Sequence, residues 1–172
     1  MAQPGRTIPE TQAQVNSREL RDVLGSFATG VVVVTTLGDG GAPVGLTINS
    51  FNSVSLDPPL VLWSLALTAP SLGAFRAHDA FAVNILSRDQ ADLCMRFARP
   101  SDDKFAGVSW RPGLKGVPVL NDAHAHLECR TWRHYEGGDH EIIIGEVMAL
   151  AATDTAPLVY HRGRLAHVAH PG

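Results

Sequence analysis

The stretch VVVVTTLGDGGAPVGLTI, residues 31–48, decides how this chain folds. Val31 to Thr36 is a β-branched run, a composition that favours a pleated strand over a helix. Gly38, Asp39, Gly40 and Gly41 then supply a turn, and Val44 to Ile48 gives a second run, so the stretch predicts a β-hairpin. Upstream, Leu20, Val23, Leu24 and Phe27 fall at helical spacing and predict a helix over Ser17 to Ala28, stopped by Gly30. Downstream, Phe51 to Leu56 and Leu60 to Leu67 read as strands on either side of Asp57-Pro58-Pro59, and Phe81 to Leu86 as another. Between them Ser71 is placed to cap a short helix, Leu72 to His78. Ser87 and Gln90 form a capping-box pattern ahead of Leu93, Cys94 and Phe97, predicting a helix that ends near Arg99 because Pro100 follows. Ser101 to Asp122 has two prolines, three glycines and no clear period, and reads as a long surface loop. Two long strands, Ala123 to Tyr135 and His140 to Ala151, flank Glu136-Gly137-Gly138-Asp139, and a last pair, Leu158 to His161 and Leu165 to His170, flanks Arg162-Gly163-Arg164. Strands joined mostly by short turns favour a mainly β, antiparallel barrel with a few helices over a βαβ sheet.

The 172 residues suffice for one domain with a real core. Hydrophobic residues make up 45% and charged residues 18%, an apolar balance that suggests a partner subunit, most simply in a homodimer. A formal charge of −3 with no basic run argues against nucleic acid. Residues 1–18 are polar and lack the apolar centre of a signal peptide, so they read as a disordered arm ahead of a domain spanning 19–170. No run approaches the roughly 18 apolar residues of a membrane span, and a cytoplasmic protein is expected. Cys94 and Cys129 read as buried core thiols. No Cys or carboxylate joins the histidines at ligand spacing, so no metal is expected. Glu128 and Glu141 read as strand-face charges rather than an acid and base pair.

No strand is followed by G-x-G-x-x-G and a helix, and no phosphate loop ends in Gly-Lys-Ser or Gly-Lys-Thr. A nucleotide would therefore have to be held by strand ends, hydroxyls and loop amides. Thr47, Asn49, Ser50, Asn52, Ser53 and Ser55 crowd one such stretch. It is either a solvent-facing strand between turns, or a site where short polar groups meet a phosphate or ribityl chain and extended backbone meets a flat heterocycle. His140, after two glycines, is either a surface turn histidine or a group that meets a bulky ligand.

The ordered set Phe27-Ala-Thr-Gly30, Val31 to Thr36, Gly45-Leu-Thr-Ile-Asn-Ser-Phe51, Ser53-Val-Ser-Leu-Asp-Pro-Pro59, Phe81-Ala-Val-Asn-Ile-Leu86 and Gly138-Asp-His140 closely resembles the flavin reductase-like family, which includes reductase components of two-component flavin monooxygenases. The resemblance runs from about Leu20 to Arg164 and implies a split β-barrel homodimer with FMN or FAD in a groove near the dimer interface. It implies that Thr47, Ile48, Asn49, Ser50, Ser53, Val54 and Ser55 wrap the flavin, and that the segment from Ser64 to Ser71 helps hold its phosphate end. Asn84, Lys104 and Phe105 match further pocket positions. Gly138, Asp139 and His140 match the nicotinamide-nucleotide motif, with His140 the residue implied to take part in catalysis. The chain departs from the family pattern at Leu67, Ala69, Pro70 and Leu165, which leaves FMN against FAD open.

The resulting expectation is an NAD(P)H:flavin oxidoreductase that takes a hydride from NADH or NADPH and supplies reduced flavin to a separate oxygenase component. The alternatives are a split-barrel flavoprotein that retains its flavin and reduces another acceptor, and a flavin-binding module without turnover. Hydride transfer needs orientation and exclusion of water rather than a nucleophile, and a cation such as Lys104 would stabilise charge on reduced flavin.

Overall fold

The computed structural model describes residues 15–168, and the 31–48 stretch forms the expected hairpin. In chain order the elements are α1 (Ser17–Leu24), β1 (Thr29–Gly30), β2 (Val32–Leu37), β3 (Pro43–Ile48), β4 (Asn52–Leu56), β5 (Pro59–Ala66), α2 (Leu72–Ala77) and β6 (Ala80–Ile85). After them come α3 (Ala91–Ala98), β7 (Trp110–Pro112), β8 (Pro118–Leu120), β9 (Ala125–Gly137), β10 (His140–Ala152), β11 (Leu158–His161) and β12 (Arg164–His167).

Seven strands form one antiparallel sheet in the order β3-β2-β6-β9-β10-β5-β4. The sheet does not close on itself: β3 and β4, consecutive in the chain, are its two edges, which is the opening of a split barrel. A smaller sheet, β1-β11-β12, is attached through Val31, whose N–H donates to Leu158 O (3.2 Å) and whose carbonyl accepts from Leu86 N (2.9 Å). Val31 to Val34 are all buried, and alternate members enter different clusters, as the period of two requires. Val32 and Val34 join Trp63, Phe75, Phe81 and Ile143, while Val31 and Val33 join Leu86, Phe97, Phe105 and Leu158.

Three expectations change. Helix α1 ends at Leu24 rather than Ala28, and Asn16 caps it by accepting from Arg18 N at 2.8 Å. Its apolar residues, and Phe27 just beyond it at 73%, stay exposed, because no element among the described residues covers them. Of the expected arm, residues 1–14 lie outside the described residues, whereas Asn16 to Arg18 begin the helix; the end of the last expected strand, 169–170, also lies outside. Next, the 101–122 stretch contains the β7–β8 hairpin, with Val117, Val119 and Leu120 buried. The strands are three residues each, too short for a period to show, and they are fixed from outside: Asn84 Oδ1 accepts from Leu120 N (2.8 Å) and Glu128 Oε2 from Leu114 N (2.6 Å). Finally, Ser71 precedes α2 but makes no side-chain cap bond, because its backbone is itself helical. The Ser87–Gln90 capping box is present, with α3 running to Ala98.

Glu128 and Glu141, expected on strand faces, are buried and paired. Arg111 Nη2 lies 3.0 Å from Glu128 Oε1. Glu141 accepts from Arg76 Nε of α2 (2.9 Å) and lies 2.6 Å from His134 Nδ1, so it clamps α2 onto the β9–β10 hairpin. Cys94 and Cys129 are free, buried thiols; burial, aided by the Glu128 charge, pushes Cys129 up to about 12.

Gly145 packs with no room for a side chain, since a Cβ there would meet Phe81 Cζ at 2.4 Å and Cys129 Cβ at 3.0 Å. Gly145→Ala is expected to cost about 1–3 kcal/mol by overpacking, read from the midpoint of urea denaturation. The hydrogen bond from Arg76, reinforced by His134 and opposed by burial, holds the Glu141 carboxyl below its ordinary 4.5. A depressed folded value adds stability that is full above that ordinary value and is lost as pH falls through the folded one. Glu141→Gln is therefore expected to lower stability at neutral pH and to lose less than the parent between about pH 6 and pH 3. Parallel acid limbs in the two proteins' denaturation curves would contradict this.

Candidate functional site

Two clefts lie side by side where the β1-β11-β12 sheet meets the end of β3. The larger, of about 1150 Å³, is bordered by Arg21 and Phe27 from α1 and the turn after it, and by Thr29, His140 and Arg162. The smaller, of about 680 Å³, is bordered by Thr47 and Ile48 of β3, Met95 and Ala98 of α3, and Arg164 and Leu165 of β12. Asn49, Tyr160 and Gly163 border both, so a ligand in one lies next to a ligand in the other. The smaller cleft is mostly apolar with a few polar groups, the usual make-up of a site for a flat organic ligand.

The pairing of β2 with β3 sets Thr47 opposite Val33 and Ile48 opposite Val32, and the chain leaves the strand at Asn49. Thr47 Oγ1 donates to Cys94 O at 2.7 Å, fixing the floor of the smaller cleft to α3. Ser50 Oγ accepts from Ser64 N (3.0 Å) and lies 3.2 Å from Ser64 O, joining the 47–50 segment to β5. Ser53, Val54 and Ser55 lie on edge strand β4, where a register shift between Ser53 and Ser55 leaves Val54 as the extra residue of a bulge. The outer backbone edge of that strand has no strand partner among the described residues. Bulges of this kind re-aim side chains and end pairing.

The turn between β9 and β10 places Gly138 at φ 74°, a left-handed conformation in which glycine pays no Cβ penalty. Asp139 O accepts from Leu67 N at 3.0 Å, which ties this turn to the 64–71 segment. His140 Nδ1 lies 2.7 Å from Asp139 Oδ1, and since a carboxylate only accepts, the Nδ1 proton is committed and Nε2 stays free. That hydrogen bond, then the charges of His140 and Arg21, hold the exposed Asp139 carboxyl below its ordinary range.

Of the expected site residues Thr47, Ile48, Asn49 and His140 line the two clefts; Ser50, Ser53, Val54, Ser55, Ser64, Gly138 and Asp139 do not, nor do the four that follow. Asn84 is fully buried: its Nδ2 donates to Val33 O (3.0 Å) and Thr35 Oγ1 (3.2 Å) while its Oδ1 accepts from Leu120 N. Phe105 is buried edge-on against Phe97, with ring centroids 5.0 Å apart. Lys104 Nζ donates to Phe97 O (2.9 Å), and burial lowers its pKa. Ser71 lies at the start of α2, where its carbonyl accepts from Ala74 N. Conversely, Arg21, Tyr160, Arg162 and Arg164 border the clefts without having been singled out in the sequence. The available signal was an arginine at the first position of a two-residue hairpin turn, where Asn or Gly is expected. Among the described residues no group of three His, Cys, Asp or Glu could hold a metal, and no helix is long and apolar enough to cross a membrane.

Residues 24–169 match the family described as flavin reductase like domain. The reductase component of a flavin-dependent trigonelline monooxygenase from Acinetobacter baylyi is 46% identical over 156 residues, which are 91% of this chain and 50% of that protein. A relative from Rhizobium meliloti is 47% identical and likewise only 47% covered, so the chain spans about half the length of these two relatives. The FMN reductase (NADH) SmoA of Agrobacterium fabrum is 46% identical over 86% of this chain and 84% of its own length. Among solved structures, the NADH:FAD oxidoreductase SgcE6 of Streptomyces globisporus C-1027, in complex with NAD and FAD fragments, is 41% identical with a TM-score of 0.85, covering 90% of this chain and 93% of that one. An antiparallel sheet split between β3 and β4, two adjoining clefts at its opening and a match across 146 residues all agree, and the chain belongs to the flavin reductase like domain family.

Proposed function

We propose that this chain is an NAD(P)H:flavin oxidoreductase that reduces FMN or FAD and passes it to a separate oxygenase component. The observation that carries the reading is the adjacency of the two clefts, joined along Asn49, Tyr160 and Gly163. Their lining fits the two ligands. A flat ring system suits the smaller cleft, with Ile48, Met95, Ala98 and Leu165 as apolar walls and Thr47 and Asn49 as polar neighbours. The free backbone edge at Ser53, Val54 and Ser55, on the strand that follows Asn49, offers hydrogen-bonding groups for its heterocyclic rim, and Ser50 ties that segment to Ser64 of β5. Bound flavin supplies the hydride-accepting ring; everything else asked of the protein is alignment and exclusion of water.

In the larger cleft His140 is the positioning group for the nicotinamide nucleotide. With Nδ1–H held by Asp139, His140 keeps Nε2 to hydrogen-bond the nicotinamide nucleotide, and Gly138 lets the ligand approach the turn. Lys104, Phe105 and Asn84 support the site from behind: Lys104 and Phe105 brace α3, and Asn84 braces the β7–β8 hairpin.

The chain acts as a homodimer in this proposal. Leu20, Val23, Leu24 and Phe27 are exposed, the last three on the wall of the larger cleft, and Trp132, Tyr135, Met148 and Leu150 are further exposed large residues on β9 and β10. Exposed apolar area on this scale marks an interaction surface, and a second copy covering α1 would complete the cleft.

Oxidation of NADH and NADPH with FMN, FAD or no added flavin tests the reaction; turnover that depends on added flavin supports release to a partner, and absence of turnover overturns the reading. His140→Ala is expected to lower kcat/KM for the nicotinamide substrate by about ten to a hundredfold with flavin affinity nearly unchanged; parent-like kinetics would remove His140 from the site. Dilution is expected to convert a dimer to monomers with loss of nucleotide affinity, followed by light scattering alongside titration. A fully active monomer would exclude the shared cleft.

A further inference from the structure

The turn joining β11 to β12 carries an unusual residue. His161 pairs directly with Arg164, so Arg162 and Gly163 are the two central residues of the hairpin, at φ 48° and 76°. Positive φ at both centres is the turn that matches strand twist, and Asn-Gly or Gly-Gly is its preferred sequence. An arginine pays a steric penalty there that Asn or Gly avoids. Strain of this kind persists where the surroundings impose it, and here they do: Arg162 N donates to Gly25 O at 2.7 Å, pinning the turn to the end of α1. Backbone geometry therefore gives no reason for an arginine side chain at this place.

The clefts give one. Arg162 borders the larger cleft with His140, and Arg164 borders the smaller with Thr47 and Ile48. Both also flank a third hollow of about 480 Å³, with His161, Leu165 and Ala166. Arg76, Arg111 and Arg130 are committed to carboxylates. Among the described residues Arg162 and Arg164 have no ion-pair partner, nor does Arg21, which shares the larger cleft. Two arginines separated by one glycine and bordering neighbouring clefts match two ligands that each carry phosphate, and guanidinium forks are well suited to phosphate oxygens.

We propose that the Arg162-Gly163-Arg164 turn sorts the two ligands by their phosphates: Arg162 holds the diphosphate of the nicotinamide nucleotide, and Arg164 the phosphate of the flavin. This rests on the assignment of His140 to the nucleotide cleft and of Thr47 and Ile48 to the flavin cleft. Because the phosphates are remote from the reacting rings, each contact acts on affinity rather than on the chemical step.

The test is a pair of variants read against ligands with and without phosphate. Arg162→Asn installs the residue the turn prefers, so its melting temperature is expected to equal or exceed the parent's. Its KM for NADH should rise about ten to a hundredfold, the loss of a charge-assisted contact, with kcat and the FMN dissociation constant within about twofold. Arg164→Gln should weaken FMN by a similar factor, leave riboflavin, which has no phosphate, unchanged, and spare NADH. With 1-benzyl-1,4-dihydronicotinamide, which has no phosphate, Arg162→Asn should behave as the parent. Equal effects of both variants on both ligands, unchanged affinities, or a loss for the phosphate-free ligands as large as for NADH and FMN would overturn the proposal. Equilibrium titrations of FMN and NADH accompany the kinetics. Lack of turnover in the parent would count against the reductase reading, while the affinity shifts would still decide the phosphate contacts.

Discussion

One buried triangle of backbone hydrogen bonds determines where everything else can lie. Val31 N–H donates to Leu158 O, Leu86 N–H to Val31 O, and Leu158 N–H to Leu86 O, all among side chains no more than 2% exposed. Water cannot replace any of these bonds, so each would leave a buried group unpaired at a cost of about 1–3 kcal/mol if broken. The triangle joins the start of β2, the residue after β6 and the start of β11. Through β2 it sets β3, and hence Thr47 to Asn49; through β11 it sets Tyr160 and the Arg162–Gly163 turn. The two clefts are the space left between these arms, which is why their common border consists of Asn49, Tyr160 and Gly163.

Much of this fold was legible from local chemistry. A β-branched run ahead of a glycine turn gave the β2–β3 hairpin, and a Gly-Gly turn between two long strands gave the β9–β10 hairpin, because strand and turn signals there lie within a few residues of each other. The Ser87–Gln90 capping box likewise announces α3. What periodicity does not carry is the identity of the covering partner. Helix α1 has a sound apolar face, yet that face is exposed, since a stripe says only that something must cover it. The β7–β8 hairpin was hidden for a related reason. Its stability comes from Asn84 and Glu128, which reach it across 36 and 14 residues of sequence.

The site was legible to a lesser degree, and the division is physical. The family resemblance picked out Thr47, Ile48, Asn49 and His140, which do border the clefts, together with Asn84 and Phe105, which are buried behind them. A motif records which residues occur together but not whether a side chain points at a ligand or at the core that shapes the pocket. Asn84, with both ends of its amide engaged by the backbone and Thr35, belongs to the second kind. The arginines at 162 and 164 escaped notice because a charged residue in a hairpin turn is ordinarily a solvated one. Only the left-handed backbone of Arg162 and the position of the turn between two clefts separate it from that ordinary case.

Charge is handled in two opposite ways across this sheet. Glu128 and Glu141 are buried, and each is matched by a guanidinium and by further hydrogen bonds, so they act as fixed brackets for the β7–β8 hairpin and for α2. Removing one partner of such a pair exposes the other to the full penalty of burial, which makes these brackets resistant to drift. At the clefts the pattern reverses. Arg21, Arg162 and Arg164 have no carboxylate partner among the described residues. A protein selected for stability alone would fill or neutralise such groups. Gathering positive charge around an open space costs stability unless something anionic enters it. Glu128 and Glu141 are taken up by the brackets, so in a chain with a formal charge of −3 three arginines without an ion-pair partner among the described residues still gather at the clefts, with Asp22 as the acidic residue lining the larger one.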